Sequence, residues 1–331
     1  MNLFETMILG TPAWMWGFFL LLVGLLVVFD LGILHKKDEE IGVAASLKLS
    51  GFYIGAGLLF GLWIWHTMGS ASAMLYYTGF LVEKSLSLDN VFVISLIFTY
   101  FAIPRLYQHR VLFWGILGAI VLRGLMIGLG SSLVANYHWT LYLFAGFLMI
   151  TGVKMLLPEK EGETDLSDSK IIRFLKGRMR VTEQLHDQRF FVRLAEPQAG
   201  GRMRLWATPL FLTLCMVEIS DVIFAVDSVP AIFAITTDTF IVFSSNIFAI
   251  LGLRALYFAL AAILARFEYL KYALAVVLVF IGAKVFLGDF VFDGKVPALL
   301  SLGITFGILT VGVAYSLFKT REQVALPGSG Q

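Results

Sequence analysis

The chain has 331 residues, 59 % of them hydrophobic and 15 % charged, with a mean hydropathy of +0.85 and a net charge of +2. A soluble globular chain is about half apolar and a quarter charged, so this composition makes lipid the solvent and excludes an ordinary soluble domain. The net charge is too small to suggest nucleic acid and no basic motif argues for it, so none is expected as a partner; one cysteine, Cys215, excludes an intramolecular disulfide framework or a Cys-rich zinc or iron–sulfur site.

The first residues lack a basic n-region, so the first apolar run reads as a retained span rather than a cleaved signal. Runs of about 18 or more mostly apolar residues predict nine transmembrane helices, over 14–34, 49–67, 71–101, 111–135, 139–157, 205–235, 240–265, 269–287 and 296–318. The expected fold is an all-α polytopic membrane protein. Its parts are an N-terminal two-helix region (1–70), a three-helix repeat (71–157), a cytoplasmic basic link (158–204), a second three-helix repeat (205–288), and a last helix with a C-terminal tail (289–331).

Lys and Arg gather in alternate loops: Lys36, Lys37 and Lys48, then Arg105 and Arg110, then ten between Lys160 and Arg204. Arg266 and Lys271, and finally Lys319 and Arg321, continue the pattern, whereas the opposite loops hold almost none except Lys295. Positive charge retained inside predicts an N-terminus outside and a C-terminus in the cytoplasm of a bacterial-type inner membrane. Within the link, KIIRFLKGRMRVTEQLHDQRFFVRL fits a basic amphipathic helix on the inner leaflet and equally a solvated helix hairpin.

Spans three to five and six to eight read as two copies of one unit. LDNVFVIS faces SDVIFAVD, ILGAIVLRGL faces FAILGLRALY, and GVKMLL faces GAKVFL. The offsets from Asp89 to Asp221, Arg123 to Arg254 and Lys154 to Lys284 are 132, 131 and 130 residues. A competing register pairs Asp89 with Asp227 and needs an extra gap before Arg254. Three spans per unit force the second copy to enter the membrane from the opposite side. Such an inverted repeat is typical of secondary transporters, whose ion sites lie near the midplane.

Both copies carry acids in apolar surroundings: Glu83 and Asp89 in the first, Glu218, Asp221 and Asp227 in the second. Each costs about 2.5–3.5 kcal/mol at mid-membrane on insertion scales, about 12–18 kcal/mol for five. A cation, a proton or a basic partner must offset this. Lys84, Arg123 and Arg254 are the candidate ion-pairing and orienting residues. Lys154 and Lys284 read as snorkelling near span ends, and Asp30 as interfacial. Six-residue spacing puts Asp227 roughly 120° around a helix from Asp221, and Glu83 stands in the same relation to Asp89. Either the helix unwinds between the two members or they serve separate steps. With Pro230 and Pro104 just beyond, a discontinuous helix is expected in at least one copy.

Carboxylates joined by the Asn90 amide and the hydroxyls of Ser85, Ser87 and Ser228 form an all-oxygen set, suited to magnesium, calcium or manganese rather than copper or zinc. Cys215 and Met216 read as packing residues. The expected partners are therefore a divalent metal ion and the lipid bilayer, with no permanently bound cofactor. Surplus negative charge at such a site favours protons replacing a departing cation, so proton coupling is a further expectation. No nucleophile–base pair, phosphate loop or catalytic zinc motif points to an enzyme. The alternative is a non-transporting scaffold that binds translocation or insertion partners, its acids serving as structural ion pairs.

GFLVEKSLSLDNVFV, VEISDVIFAVDSVPAIFAIT, NIFAILGLRALYF and LKYALAVVLVFIGAKVF resemble the signature stretches of the TerC family. The resemblance runs from span one to span nine and includes FFVR in the link. It implies a multi-spanning fold related to the LysE-type exporters and, from several members, manganese export. The family's intramembrane acids fall here on Glu83, Asp89, Glu218, Asp221 and Asp227, with Asn90 alongside.

Overall fold

The computed structural model describes residues 6–34, 43–137, 139–157, 174, 177–195, 203–260, 269–291 and 297–325. A short hairpin, β1 (Met7–Ile8) and β2 (Thr11–Pro12), leads into α1 (Ala13–Leu34), α2 (Val43–Met68), α3 (Ser70–Tyr100), α4 (Arg105–Asn136) and α5 (Thr140–Leu156). In the link, β3 (Phe191–Ala195) pairs antiparallel with β4 (Met203–Ala207). There follow α6 (Pro209–Ile235), α7 (Thr239–Ile250), α8 (Leu253–Leu260), α9 (Leu270–Val291) and α10 (Ala298–Ala325).

Six stretches among the described residues are long and apolar enough to cross a membrane: Ala13–Asp30, Ala44–Met68, Arg105–Asn136, Pro209–Ile235, Thr239–Ala259 and Leu299–Lys319. Thr140–Leu156 is a shorter apolar helix, and α3 is longer but carries Glu83, Lys84 and Asp89. Leu21, Leu129, Ile150, Val311 and Phe318 face outward, as lipid requires. Thr239–Ala259 is the exception, 94 % buried, and forms an axle around which α1, α2, α3 and α4 pack.

The axle is gripped at one end by aromatic rings: Phe240 and Phe248 of α7 meet Phe19 of α1 and Phe60 of α2, with centroids 4.5–6.3 Å apart. Asp238 caps α7 by accepting from the backbone N–H of Phe240 (3.0 Å) and Ile241 (3.2 Å). At the other end the helix breaks. Leu251 is extended and Gly252 has φ +79°, a left-handed conformation that favours glycine; a Cβ there would lie 2.6 Å from Tyr53 Cβ.

The most extensive contact between helices joins α5 to α9. It rests on two glycines placed alike. A Cβ on Gly152 would lie 2.7 Å from Ala275 O and from Val279, and one on Gly282 would lie 2.6 Å from Ala145 O and 2.7 Å from Met149. One 130-residue offset links Gly152 to Gly282, Ala145 to Ala275, and Met149 to Val279. Contacts elsewhere are reciprocal too: α4 packs on α6 as α3 packs on α7.

Two expectations need correction. The FFVR stretch forms β3 rather than helix: Phe191 and Arg193 point outward on one face and Val192 inward, the two-residue alternation of a strand. The link's first part, 158–173, lies outside the described residues. Helices α3 and α6 are unbroken, α6 running through Pro230, so neither acid-bearing span is the discontinuous one. The interruption lies at Leu251–Gly252, in the span between α6 and α9.

Candidate functional site

Arg123 of α4 stands 1 % exposed where α3, α4, α6 and α7 converge. Its Nε and Nη2 donate to Asp221 Oδ2 (3.1 Å) and Oδ1 (2.8 Å), the two-pronged grip that a planar guanidinium makes on a carboxylate. Nη1 donates to Glu83 and reaches Ser228 Oγ and Asn246 Oδ1, both at 3.3 Å. One guanidinium thus bridges acids of α3 and α6. Glu83 is sealed at 1 % exposure, whereas Asp221 keeps 13 %.

Around this bridge lie buried oxygen atoms that accept nothing. Glu83 Oε2, Asn90 Oδ1 and Glu218 Oε2 have no hydrogen-bond partner among the described residues. Asn90 sits against the bridge, its amide nitrogen 3.5 Å from Asp221 Oδ1. Glu218, one turn before Asp221 on α6, points at Gly118 of α4, where the lack of a side chain leaves space for its carboxylate. Buried acceptors without a donor are costly, so each marks a place where a proton, water or cation belongs.

A cavity of about 20 Å³ adjoins Asn90 and the bridge's Asp221, room for about one water-sized sphere. Asn90 and Asp221 line its polar end and Ile94, Leu112, Ile116 and Leu253 its apolar walls. Its α3 residues lie between Asn90 and that helix's end, and its α4 residues before Arg123. The cavity therefore extends from the bridge toward the end of the bundle that bears Arg105 and Arg110.

The structure thus joins Glu83, Asp221, Asn90, Ser228 and Arg123, with Glu218 at the edge. Ser85 and Ser87 instead donate to carbonyls of their own helix, Leu81 O and Glu83 O, both at 2.8 Å. Lys84 donates to Ala249 O (3.0 Å), capping the end of α7 just before its break. The side chains of Asp89 and Asp227 lie outside the described ones. Among the described residues no three His, Cys, Asp or Glu side chains gather closely enough to hold a metal ion unaided.

Among the described side chains Arg254 joins none of these acids. Its Nη2 bonds Asp30 of α1, 2.6 Å to Oδ1 and 3.1 Å to the carbonyl oxygen. Sequence reasoning had treated Asp30 as interfacial and passed over Asn246. An amide inside the apolar run NIFAIL was the available signal for the latter.

The model of the integral membrane protein TerC family matches residues 68–324. The chain belongs to the TerC family. A TerC-family chain of this kind has relatives of nearly its own length. It is 47 % identical over 321 residues to "Putative membrane-bound redox modulator Alx" of Photorhabdus laumondii, covering 94 % of this chain and 97 % of that protein. It is 45 % identical over 326 residues to the Salmonella typhi protein of the same name, covering 95 % and 97 %. An uncharacterized membrane protein of Rickettsia bellii is 44 % identical over 304 residues, covering 92 % and 97 %. No solved structure matches.

Proposed function

We propose that this TerC-family protein exports a hard divalent cation, manganese(II) first, through the buried carboxylate site between α3 and α6. The observation that carries the reading is the set of unpartnered oxygens, Glu83 Oε2, Asn90 Oδ1 and Glu218 Oε2, on the helices that hold the bridge, with a cavity reaching Asn90 and Asp221. Oxygen-only ligands suit manganese, magnesium and calcium alike, and the family's links to manganese favour it among them. The direction rests on the same links. Lys and Arg gather at the cavity's end of the bundle, so we read that end as cytoplasmic, with nine passes, the N-terminus outside and a bacterial inner membrane as the location.

The matched glycines of α5 and α9 and the reciprocal packing of α3, α4, α6 and α7 support two inverted three-helix repeats. Such an arrangement lets a midplane site face either side by rocking one repeat on the other. Protons taken up as the cation leaves by an acid with no basic partner among the described residues, such as Glu218, would couple export to the pH gradient. The relatives named Alx carry a redox description, but one cysteine, Cys215, leaves this chain no pair for dithiol exchange.

The test is manganese flux in proteoliposomes, with and without a pH gradient, for the natural chain and for Asp89→Asn and Asp221→Asn proteins of matched folding. Flux from the natural chain and none from either variant is expected. A silent natural chain, in both gradients, would sink the reading. The scaffold alternative, which Arg123's pairing with two acids favours, would then stand.

Alanine at Gly118 offers a finer check. Its Cβ would overlap the Glu218 carboxylate, the far end of a flexible side chain, so the fold should survive with Glu218 displaced. We expect a melting temperature within a few degrees of the natural chain and flux lower by about tenfold or more, as for a misplaced ligand. Unchanged flux would remove Glu218 from the path.

A further inference from the structure

We propose that Arg123 is a tethered competitor of the transported ion, its guanidinium filling the place between Glu83 and Asp221 that a divalent cation must take. The inference deepens the transport reading and rests on it. The Nε, Nη1 and Nη2 atoms of Arg123 all bond acceptors, and the carboxylates come from separate halves of the chain. A cation bridging the same two acids needs the lone pairs that the guanidinium now holds. With the guanidinium seated, Glu83 Oε2 alone of the four carboxylate oxygens stays without a partner, too little to bridge a cation between the two acids.

Access sharpens the argument. A cation entering from the cavity meets Asp221 and Asn90 first, because these line it and Asp221 is 13 % exposed. Glu83, 1 % exposed, offers only its unpartnered Oε2 until the guanidinium withdraws from Oε1. The neutral acceptors Ser228 and Asn246 hold Arg123 on the side of Glu83, giving the competitor a grip of its own. When the ion leaves, the guanidinium returns, and two bare carboxylates are never left buried together. Apparent affinity is then lowered by the fraction of time the seat is taken, and any change that loosens Arg123 should raise it.

The experiment titrates Mn2+ into purified protein in detergent, following the free-ion electron paramagnetic resonance signal. It compares the natural chain with Arg123→Gln and Asn246→Ala. Arg123→Gln should bind about tenfold tighter or more, the size of effect expected if the vacant seat is about a tenth populated. Asn246→Ala keeps every charge and removes only a neutral hold on the guanidinium. It should tighten binding by a smaller factor, which simple removal of a positive charge does not explain. Equal or weaker binding by folded Arg123→Gln overturns the inference. If that variant does not fold, equal or weaker binding by Asn246→Ala does so. Flux by the natural chain without tightening in the variants overturns this inference alone. Absence of both binding and flux in every protein overturns the transport reading with it.

Discussion

Leucine at Gly282 is expected to leave almost no folded protein. Its Cβ would lie 2.6 Å from Ala145 O and 3.2 Å from Met149 N, backbone atoms of α5 that cannot turn aside as a side chain can. Relief requires α5 and α9 to separate along the most extensive helix contact in the molecule. Between membrane helices the driving force is close packing rather than expulsion of water, so a widened seam loses most of what formed it. Overpacking of this kind costs about 3 kcal/mol or more when rigid backbone stands in the way. Leucine at Gly152 meets Ala275 O at 2.7 Å and Val279 N at 3.1 Å and should fail equally. Alanine at Gly146, beside Ala145 but with open space at its Cβ, should be tolerated. Monodisperse yield in detergent is the measurement. Good yield from Gly282→Leu would mean that the seam does not hold the two helices together.

Asparagine at Asp30 is expected to destabilise the protein by about 3–5 kcal/mol, the cost of leaving a buried charge without its partner. Arg254 is 2 % exposed, and among the described side chains Asp30 is its carboxylate partner at 2.6 Å. The bridge also ties α1 to α8 immediately beyond the Leu251–Gly252 break, where the backbone alone fixes little. Replacing Arg254 by methionine as well removes the stranded charge and should restore a large share of the loss. Thermal melting of the two single variants and the double variant gives the coupling. Additive losses would show that Asp30 and Arg254 act independently.

Much of this architecture was legible because lipid imposes a simple grammar. A helix that meets hydrocarbon must be apolar over most of its length, so α1, α2, α4, α6 and α10 announce themselves by composition. The repeat was legible through markers whose spacing survives: Gly152 and Gly282, noticed as parts of GVKMLL and GAKVFL, occupy matched positions in one seam. The helix break was misplaced because Pro230 and the acid spacing pointed to α3 and α6. A proline's lost N–H does not by itself end a helix, whereas Gly252 adopts a conformation that a side chain disfavours. The β3–β4 hairpin was hidden because basic residues interspersed with bulky apolar ones suit a helix lying on a membrane as well as a strand. The bond between Asp30 and Arg254 joins residues 224 apart in the chain, and no local pattern announces a partnership at that distance.

Ahead of Asp221, α6 is moored at its start. Thr208 Oγ1 donates to Arg189 O at 2.7 Å and its backbone N–H to Phe190 O at 2.9 Å, while Ala207 N–H bonds Arg180 O at 2.8 Å. Strand β4 runs into the helix with Thr208 alone between them. The hairpin and α6 are in effect a rudder blade and its stock. On the transport reading, a turn of the helix as an ion arrives would carry the blade with it, passing a small rotation at the buried end out to the β3–β4 hairpin. A reporter group on the blade would let that motion be watched from water, with nothing altered inside the membrane.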